Sequence, residues 1–336
     1  METLPIQPEF LRGPSNPEDL ARCLGTDWIV TSGHSAFMPD PQGHIYVVNV
    51  RTREWRDLLP SSVTFALDRE RFGDVDPPEI GIFDAHGLGL RHNPDGVHTL
   101  YVVNHGGRES VEIFDLDCRG AVPALTWTGA VIMPGWCSAN DVAPHPDGDF
   151  FVTNLCTNIA DNVAVLASGE PSGNVLWWQG KDKPLTVVPG SEVSGPNGVE
   201  VSADGEWYFI NSWPVSKVLK LSLKKPVQEK YEVYLGSMPD NLTWTDDRRY
   251  LVTIGQTSTA YEVFTTYAKG ATRIGIGFNV FRIDPETMTA QTLASYDNPE
   301  EFGLASAALI VGDDVWVGTA RNDGLAIFPA AARQVG

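Results

Sequence analysis

Apolar runs of four to eight residues, rich in Val, Ile, Phe, Tyr and Trp, alternate along this chain with tight polar turns such as Asp95-Gly96, Asp147-Gly148 and Asp204-Gly205. Period-two alternation and short apolar runs bounded by Gly, Asp and Pro predict β-strands, and no stretch carries sustained helical periodicity. The recurring unit is an apolar strand, a polar turn, and a second apolar strand that ends in small or polar residues. It appears at 86–105, 140–155, 197–213, 241–256 and 307–328, with a looser sixth copy at 27–50.

The starts of these units lie roughly 45 to 65 residues apart, the spacing of four-stranded blades stacked radially, each hiding its faces only against its neighbours. The expected fold is all-β: a six-bladed β-propeller with four-stranded blades around a central channel, in one domain spanning 1–336. A two-sheet sandwich accommodates the same strands but gives no reason for a polar residue at one fixed point of each unit. In a propeller that point lines the channel, and His86, Asn140, Asn197 and Asn241 hold it in four successive units.

Composition narrows the picture. A hydrophobic fraction of 42% and ten Trp in 336 residues suit an ordered globule, and a formal net charge of -19 argues against nucleic acid or an anionic membrane as partner. The N-terminal stretch has neither the basic start nor the apolar core of a signal peptide, and no run approaches a membrane span, so a cytoplasmic location is expected. Cys23, Cys118, Cys137 and Cys156 form no CxxC pair and share no ligand spacing with His, so they are expected to be buried thiols rather than a zinc site. No GxSxG elbow occurs, which leaves a serine esterase without its nucleophile.

The polar residues at the strand entries are oxygen donors: Glu18-Asp19, Asn140-Asp141, Asn197 and Asp240-Asn241. Carboxylates with neutral amide carbonyls and little imidazole form the donor set of a hard cation such as calcium. Singly, Asn or Asp before a strand caps a turn; recurring at three entries, twice joined to Asp, the pattern points to a cation site. Asn241 also begins a formal glycosylation sequon, discounted because a channel residue cannot carry a glycan. Trp136, Trp213 and Trp244 lie near these segments and suit either an aromatic wall for a substrate or blade packing.

With "PEDLARCLGTDWIVTSG", "AHGLGL", "LYVVNHGG", "VEIFDLD", "NDVAP", "PNGVEVSADGEWYFI" and "PDNLTW" in order, the chain resembles the paraoxonases, calcium-dependent lactonases and arylesterases. More distantly it is similar to the gluconolactonase and strictosidine synthase-like propellers. The resemblance implies two calcium ions, a catalytic one on Glu18, Asn140, Asn197, Asp240 and Asn241, and a structural one on Asp19, Asp141 and the Leu88 main-chain carbonyl. It also implies a base, His86, supported by His105. The sequence departs from that family in having no hydrophobic leader, no C-terminal cysteine to pair with Cys23, and Gln256 where the family has a further histidine.

The resulting expectation is calcium-dependent hydrolysis of a small lactone or aryl ester, with water activated by His86 or, alternatively, by Glu18 or Asp240. Two other readings stay open: a propeller enzyme of a non-hydrolytic class, and a binding propeller that calcium merely staples.

Overall fold

The computed structural model describes residues 7–35, 42–157, 162–224, 230–267, 269, 271, 273–298 and 300–329. Six antiparallel sheets succeed one another around a channel. Blade 1 is formed by β2 (Pro17–Cys23), β3 (Trp28–Gly33), β4 (His44–Asn49) and β5 (Trp55–Leu59). Blade 2 holds β7 (Ala85–Arg91), β8 (Val97–Asn104), β9 (Ser110–Asp117) and β10 (Ala124–Ile132), edged by the short parallel β6 (Thr64–Phe65). Blade 3 is β11 (Ala139–Pro144), β12 (Phe150–Asn154), β13 (Asn174–Trp178) and β14 (Thr186–Val187). Blade 4 runs through β15 (Pro196–Val201), β16 (Trp207–Ser212), β17 (Lys217–Ser222) and β18 (Lys230–Tyr234). Blade 5 comprises β19 (Met238–Trp244), β20 (Leu251–Gln256), β21 (Phe278–Asp284) and β22 (Thr289–Tyr296). Blade 6 takes β23 (Ala305–Val311), β24 (Asp314–Thr319) and β25 (Asp323–Phe328), and its outer strand is β1 (Glu9–Ser15), which precedes blade 1 in sequence.

The six-bladed expectation is met, with one change of phase. The sixth sequence copy, 27–50, begins one strand late: the inner strand of blade 1 is β2, and "WIVTSG" is its second strand. Residues 36–41 of that copy lie outside the described residues. The cause is compositional, since "PEDLARC" carries two carboxylates and an arginine and lacks an apolar run.

The core lies between blades. Val30, Ile45 and Val47 of blade 1 pack on Leu88, Leu100 and Val102 of blade 2, and Phe151 and Val175 of blade 3 meet Val199 and Ile210 of blade 4. Middle strands, covered on both faces, are therefore near-continuous apolar runs, as in β8, whereas the outer β18 "KYEVY" is exposed. Between blades 6 and 1, Leu11 of β1 is buried with Leu20, Ile29, Trp316 and Leu325. β1 pairs antiparallel with β25, so the ring is closed by a strand from its other end. Leu11→Ala should cost about 2 kcal/mol or more and lower the melting temperature by roughly 3 °C, measured by calorimetry. An unchanged melting temperature would show that the latch carries no stability.

All four cysteines are buried, and none forms a disulfide. Among the described residues, no helix is long and apolar enough to cross a membrane.

Candidate functional site

Every inner strand breaks register at the same place. The pairing skips two residues between Pro17 and Leu20, Ala85 and Leu88, Ala139 and Val142, Pro196 and Val199, Pro239 and Leu242, and Ala305 and Ala308. Such irregularities re-aim side chains that a regular strand would point into the sheet. The skipped pairs are Glu18-Asp19, His86-Gly87, Asn140-Asp141, Asn197-Gly198, Asp240-Asn241 and Ser306-Ala307. Nearly every site residue expected from sequence falls in these pairs. One alignment changes: the fifth-blade equivalent of His86, Asn140 and Asn197 is Asp240, and Asn241 is the second member of its pair.

A second ring lies beside the first. The residue following the second-strand partner in each blade is His34, His105, Leu155, Trp213, Gln256 and Ala320, and all six line one cavity of about 390 Å³. Glu18, His86, Asn140, Asn197 and Asp240 line the same cavity, with Glu109. The imidazoles come from blades 1 and 2, while Leu155, Trp213, Leu304 and Ala320 join Val263 and Phe264 of α1 (Ala260–Tyr267) as an apolar wall. Of the three tryptophans near the site segments, Trp213 is part of that wall. Trp136 is exposed, and Trp244 stands at a different mouth with Asp19, Leu88 and Glu200.

Apart from Asn241, which bonds to Glu18, the second members of the pairs face into the blade packing. Asp19 accepts the Leu20 N–H at 2.7 Å on Oδ1 and the Leu88 N–H at 2.7 Å on Oδ2, tying blade 1 to blade 2. Asp141 repeats the arrangement with Val142 and Val199, both at 2.7 Å, tying blade 3 to blade 4. Alternate blades have glycine here because space is short: a Cβ on Gly87 would meet the Asn140 carbonyl and Asp141, and one on Gly198 would stand 2.5 Å from the Leu242 nitrogen. These stitches give Asp19, Asp141 and Leu88 a structural part even without an ion. Burial pushes the Asp19 carboxyl up to about 7, although the two N–H donors act against this. Asp141 rises well above the carboxylate range through burial and then the nearby Asp19.

Glu18, Asn140, Asn197 and Asp240 of the first members, with Asn241, form a cage of oxygens. Glu18 is 1% exposed. The Asn241 amide donates to its Oε1 at 2.9 Å, and the Ser306 hydroxyl donates to its main-chain oxygen at 2.6 Å. Asp240 Oδ2 accepts from Gln256 Nε2 at 2.5 Å, and Gln256 is fixed by the Ala305 carbonyl, which accepts from the same Nε2, and by Trp213 Nε1, which donates to its Oε1 at 3.1 Å. The glutamine is therefore a clamp on Asp240. Burial and then Asp240 and Asp19 raise Glu18 well above its ordinary value; burial raises Asp240 to about 7.

Glu18 Oε2, Asn140 Oδ1, Asn197 Oδ1 and Asn241 Oδ1 are all buried without a hydrogen-bond donor. Orphaned buried acceptors cost about 1–3 kcal/mol each, and four from one cluster call for a shared positive partner. Two carboxylates with three amides suit a hard cation of the calcium type. Among the described residues, no group of three or more His, Cys, Asp or Glu is placed to hold a metal, so the fit to a cation rests on the amide oxygens as much as on the carboxylates. Asn241 is 2% exposed, which leaves no room for a glycan.

The histidines beside this cage form a relay. His86 Nδ1 lies 2.9 Å from His105 Nε2, His105 Nδ1 lies 2.8 Å from Glu109 Oε2, and Glu109 Oε1 accepts the Ala139 N–H at 2.7 Å. His86 Nε2 stands 3.7 Å from Glu18 Oε1. Burial, with His34 and His105 adding to it, lowers the His86 imidazole well below its usual value. For His105 burial also acts downward, but Glu109 outweighs it and the net effect is upward. Sequence reading misses Glu109, His34, Asp84 and Ser306. A signal for His34 is present: "TSGH" ends the second strand of blade 1 as "VVNH" ends that of blade 2.

No protein-family model and no curated protein matches the sequence. Solved structures do match. A luciferin-regenerating enzyme superposes with a TM-score of 0.56 at 12% identity, covering 95% of this chain and 94% of the other. A chain of the nidogen/laminin complex gives 0.55 at 11% identity over 92% and 91%. A glucose dehydrogenase-type oxidoreductase from Thermus thermophilus gives 0.51 at 17% identity over 96% and 98%. At these identities the likeness is one of fold: the chain is a six-bladed β-propeller.

Proposed function

We propose that this propeller is a calcium-dependent hydrolase of small lactones or activated aryl esters. The observation that carries the reading is the set of four orphaned acceptor oxygens, three on the cavity-lining Glu18, Asn140 and Asn197 and the fourth on Asn241, which is bonded to Glu18, next to a carboxylate-backed imidazole. Glu18, Asn140, Asn197, Asp240 and Asn241 would hold the ion, and Asp19, Asp141 and Leu88 a second, structural one. A bound calcium supplies Lewis acidity toward an ester carbonyl and the oxyanion that develops from it.

The chain's own groups do the rest. With Glu109 accepting from His105 Nδ1–H, and His105 Nε2 accepting from His86 Nδ1–H, the His86 Nε2 lone pair is left to take the proton of the attacking water. Asn ligands add oxygen without charge, while Glu18 and Asp240 supply the anchoring charge. The wall of Leu155, Trp213, Val263 and Phe264 takes the apolar part of the acyl chain or ring and excludes water around it. Gln256, bonded to Asp240, acts as a clamp on that carboxylate rather than as a proton carrier.

Purified protein assayed on γ- and δ-lactones and phenyl esters should turn them over with calcium, lose the activity in chelator and regain it on calcium addition. Absence of turnover on every ester with calcium present would overturn the hydrolytic reading.

A further inference from the structure

A second imidazole in the cavity has its own carboxylate. His34 follows β3 and Asp84 immediately precedes β7. His34 Nδ1 stands 3.2 Å from Asp84 Oδ1, an ion-pair contact whose angle falls outside hydrogen-bond geometry. That oxygen is aimed by the Ser35 N–H at 2.6 Å and the Ser35 hydroxyl at 2.9 Å, both donating to it, while the Asp84 N–H donates to Asn104 Oδ1. The His34 backbone is pinned on both sides by Asn16, whose carbonyl accepts its N–H and whose amide donates to its carbonyl. His34 is 6% exposed, lines the cavity, and stacks on His86 with centroids 4.3 Å apart and planes 11° from parallel.

With Nδ1 turned to Asp84, Nε2 is the nitrogen left for the cavity. The Glu109–His105–His86 relay does not pass through this pair. Burial acts to raise the Asp84 carboxyl, but His34 chiefly, then His105 and Ser35, bring it below the ordinary range and keep it ionised; burial also holds His34 toward the neutral, proton-accepting form.

We propose that His34, oriented by Asp84, is a second general base in the cavity, acting in parallel with His86 rather than through it. The proposal rests on the hydrolytic reading for what is attacked, not for the dyad itself. His34 Nε2 takes a proton from a water whose oxygen forms the new bond to the acyl carbon. When the bond to the leaving oxygen breaks, that proton passes to the departing oxygen, and the dyad ends as it began, His34 neutral and Asp84 ionised. Parallel bases explain an otherwise redundant arrangement, two imidazoles with separate carboxylates in one pocket.

The test compares wild type, His34→Gln, His86→Gln and the double variant, each with calcium, on the lactone and phenyl ester panel. Parallel action predicts that His86→Gln keeps a residual rate and that the double variant falls at least a further tenfold, within the span of one general base. A double variant no slower than His86→Gln overturns the proposal, because a residue acting only through His86 adds nothing once His86 is gone. A second readout needs no ester turnover: acylation of His34 by diethyl pyrocarbonate, mapped by mass spectrometry, in protein carrying His86→Gln. Asp84→Asn keeps an acceptor for Ser35 and should slow that modification at least fivefold. An unmodified His34, or an unchanged rate, overturns the dyad. Asp84-dependent modification in a protein inert toward every ester would retain the dyad and discard hydrolysis.

Discussion

His86→Gln should fold normally, retain calcium-dependent stabilisation, and lose on the order of 10² to 10⁴ in turnover, the usual contribution of a positioned base. His105→Gln should lose less, because its part is to hold the His86 tautomer through the 2.9 Å contact rather than to meet the water. The pH dependence follows from the same geometry. Burial and the neighbouring rings lower His86 well below the ordinary imidazole value of about 6.5, so the rising limb of the wild-type profile should lie on the acid side of that value. The relay titrates as a coupled unit, and the limb belongs to the unit. Steady-state kinetics on one lactone across pH settles the matter. Near-normal turnover in His86→Gln with an unchanged profile would remove the relay from the mechanism and pass the proton to His34, Glu18 or Asp240.

Removing divalent cations should reverse the usual carboxylate dependence of stability on pH. Ordinary Asp and Glu titrate near about 3.9 and 4.3 in the unfolded chain, whereas burial raises Asp19 and Asp240 to about 7 and Glu18 and Asp141 well above their ordinary values. The folded cation-free protein thus binds more protons than the unfolded chain between about pH 4 and 7, and stability falls as pH rises through that window. Each carboxyl that stays protonated one pH unit longer in the folded state than in the unfolded chain contributes about 1.4 kcal/mol to this slope, so the loss amounts to several kcal/mol. In chelating buffer the melting temperature should drop from pH 4.5 to 7.5; with millimolar calcium the drop should vanish, since a ligand bound only to the native state stabilises it. A chelated profile that stays flat would mean that the buried carboxylates are compensated by something other than a cation.

Much of this site is legible in the sequence because the register irregularity repeats. Glu18-Asp19, Asn140-Asp141 and Asp240-Asn241 stand out as polar pairs opening apolar strands, and His86 marks the same place in blade 2. Asn241 reads as the in-register member because strand periodicity alone does not reveal which residue of a skipped pair turns into the channel; the pairing of Leu242 with Thr253 does. Glu109 is hidden because it lies in the turn "HGGRES", where a carboxylate reads as surface, and its meaning depends on His105 and Ala139. His34 is hidden by the late phase of the blade 1 copy, and Asp84 because its partner lies 50 residues earlier in the chain. The apolar wall is not legible at all: Val263 and Phe264 belong to a short helix between strands, and only its docking over the channel makes them face the cavity.

The ring's seam runs through this chemistry. Asn16 joins the latch strand to blade 1 and donates its N–H to the Asn322 carbonyl; Ser306 and Asn241, far downstream, both donate to Glu18. A chain emerging from the ribosome presents Glu18, His34 and His86 early, long before their partners from the fifth and sixth blades exist. Domains form as units while synthesis proceeds from the N-terminus, so a nascent chain carries its imidazoles exposed but without the cage beside them. The complete site would then arise abruptly, when β25 emerges and the waiting N-terminal strand docks on it, and truncated translation products would lack it.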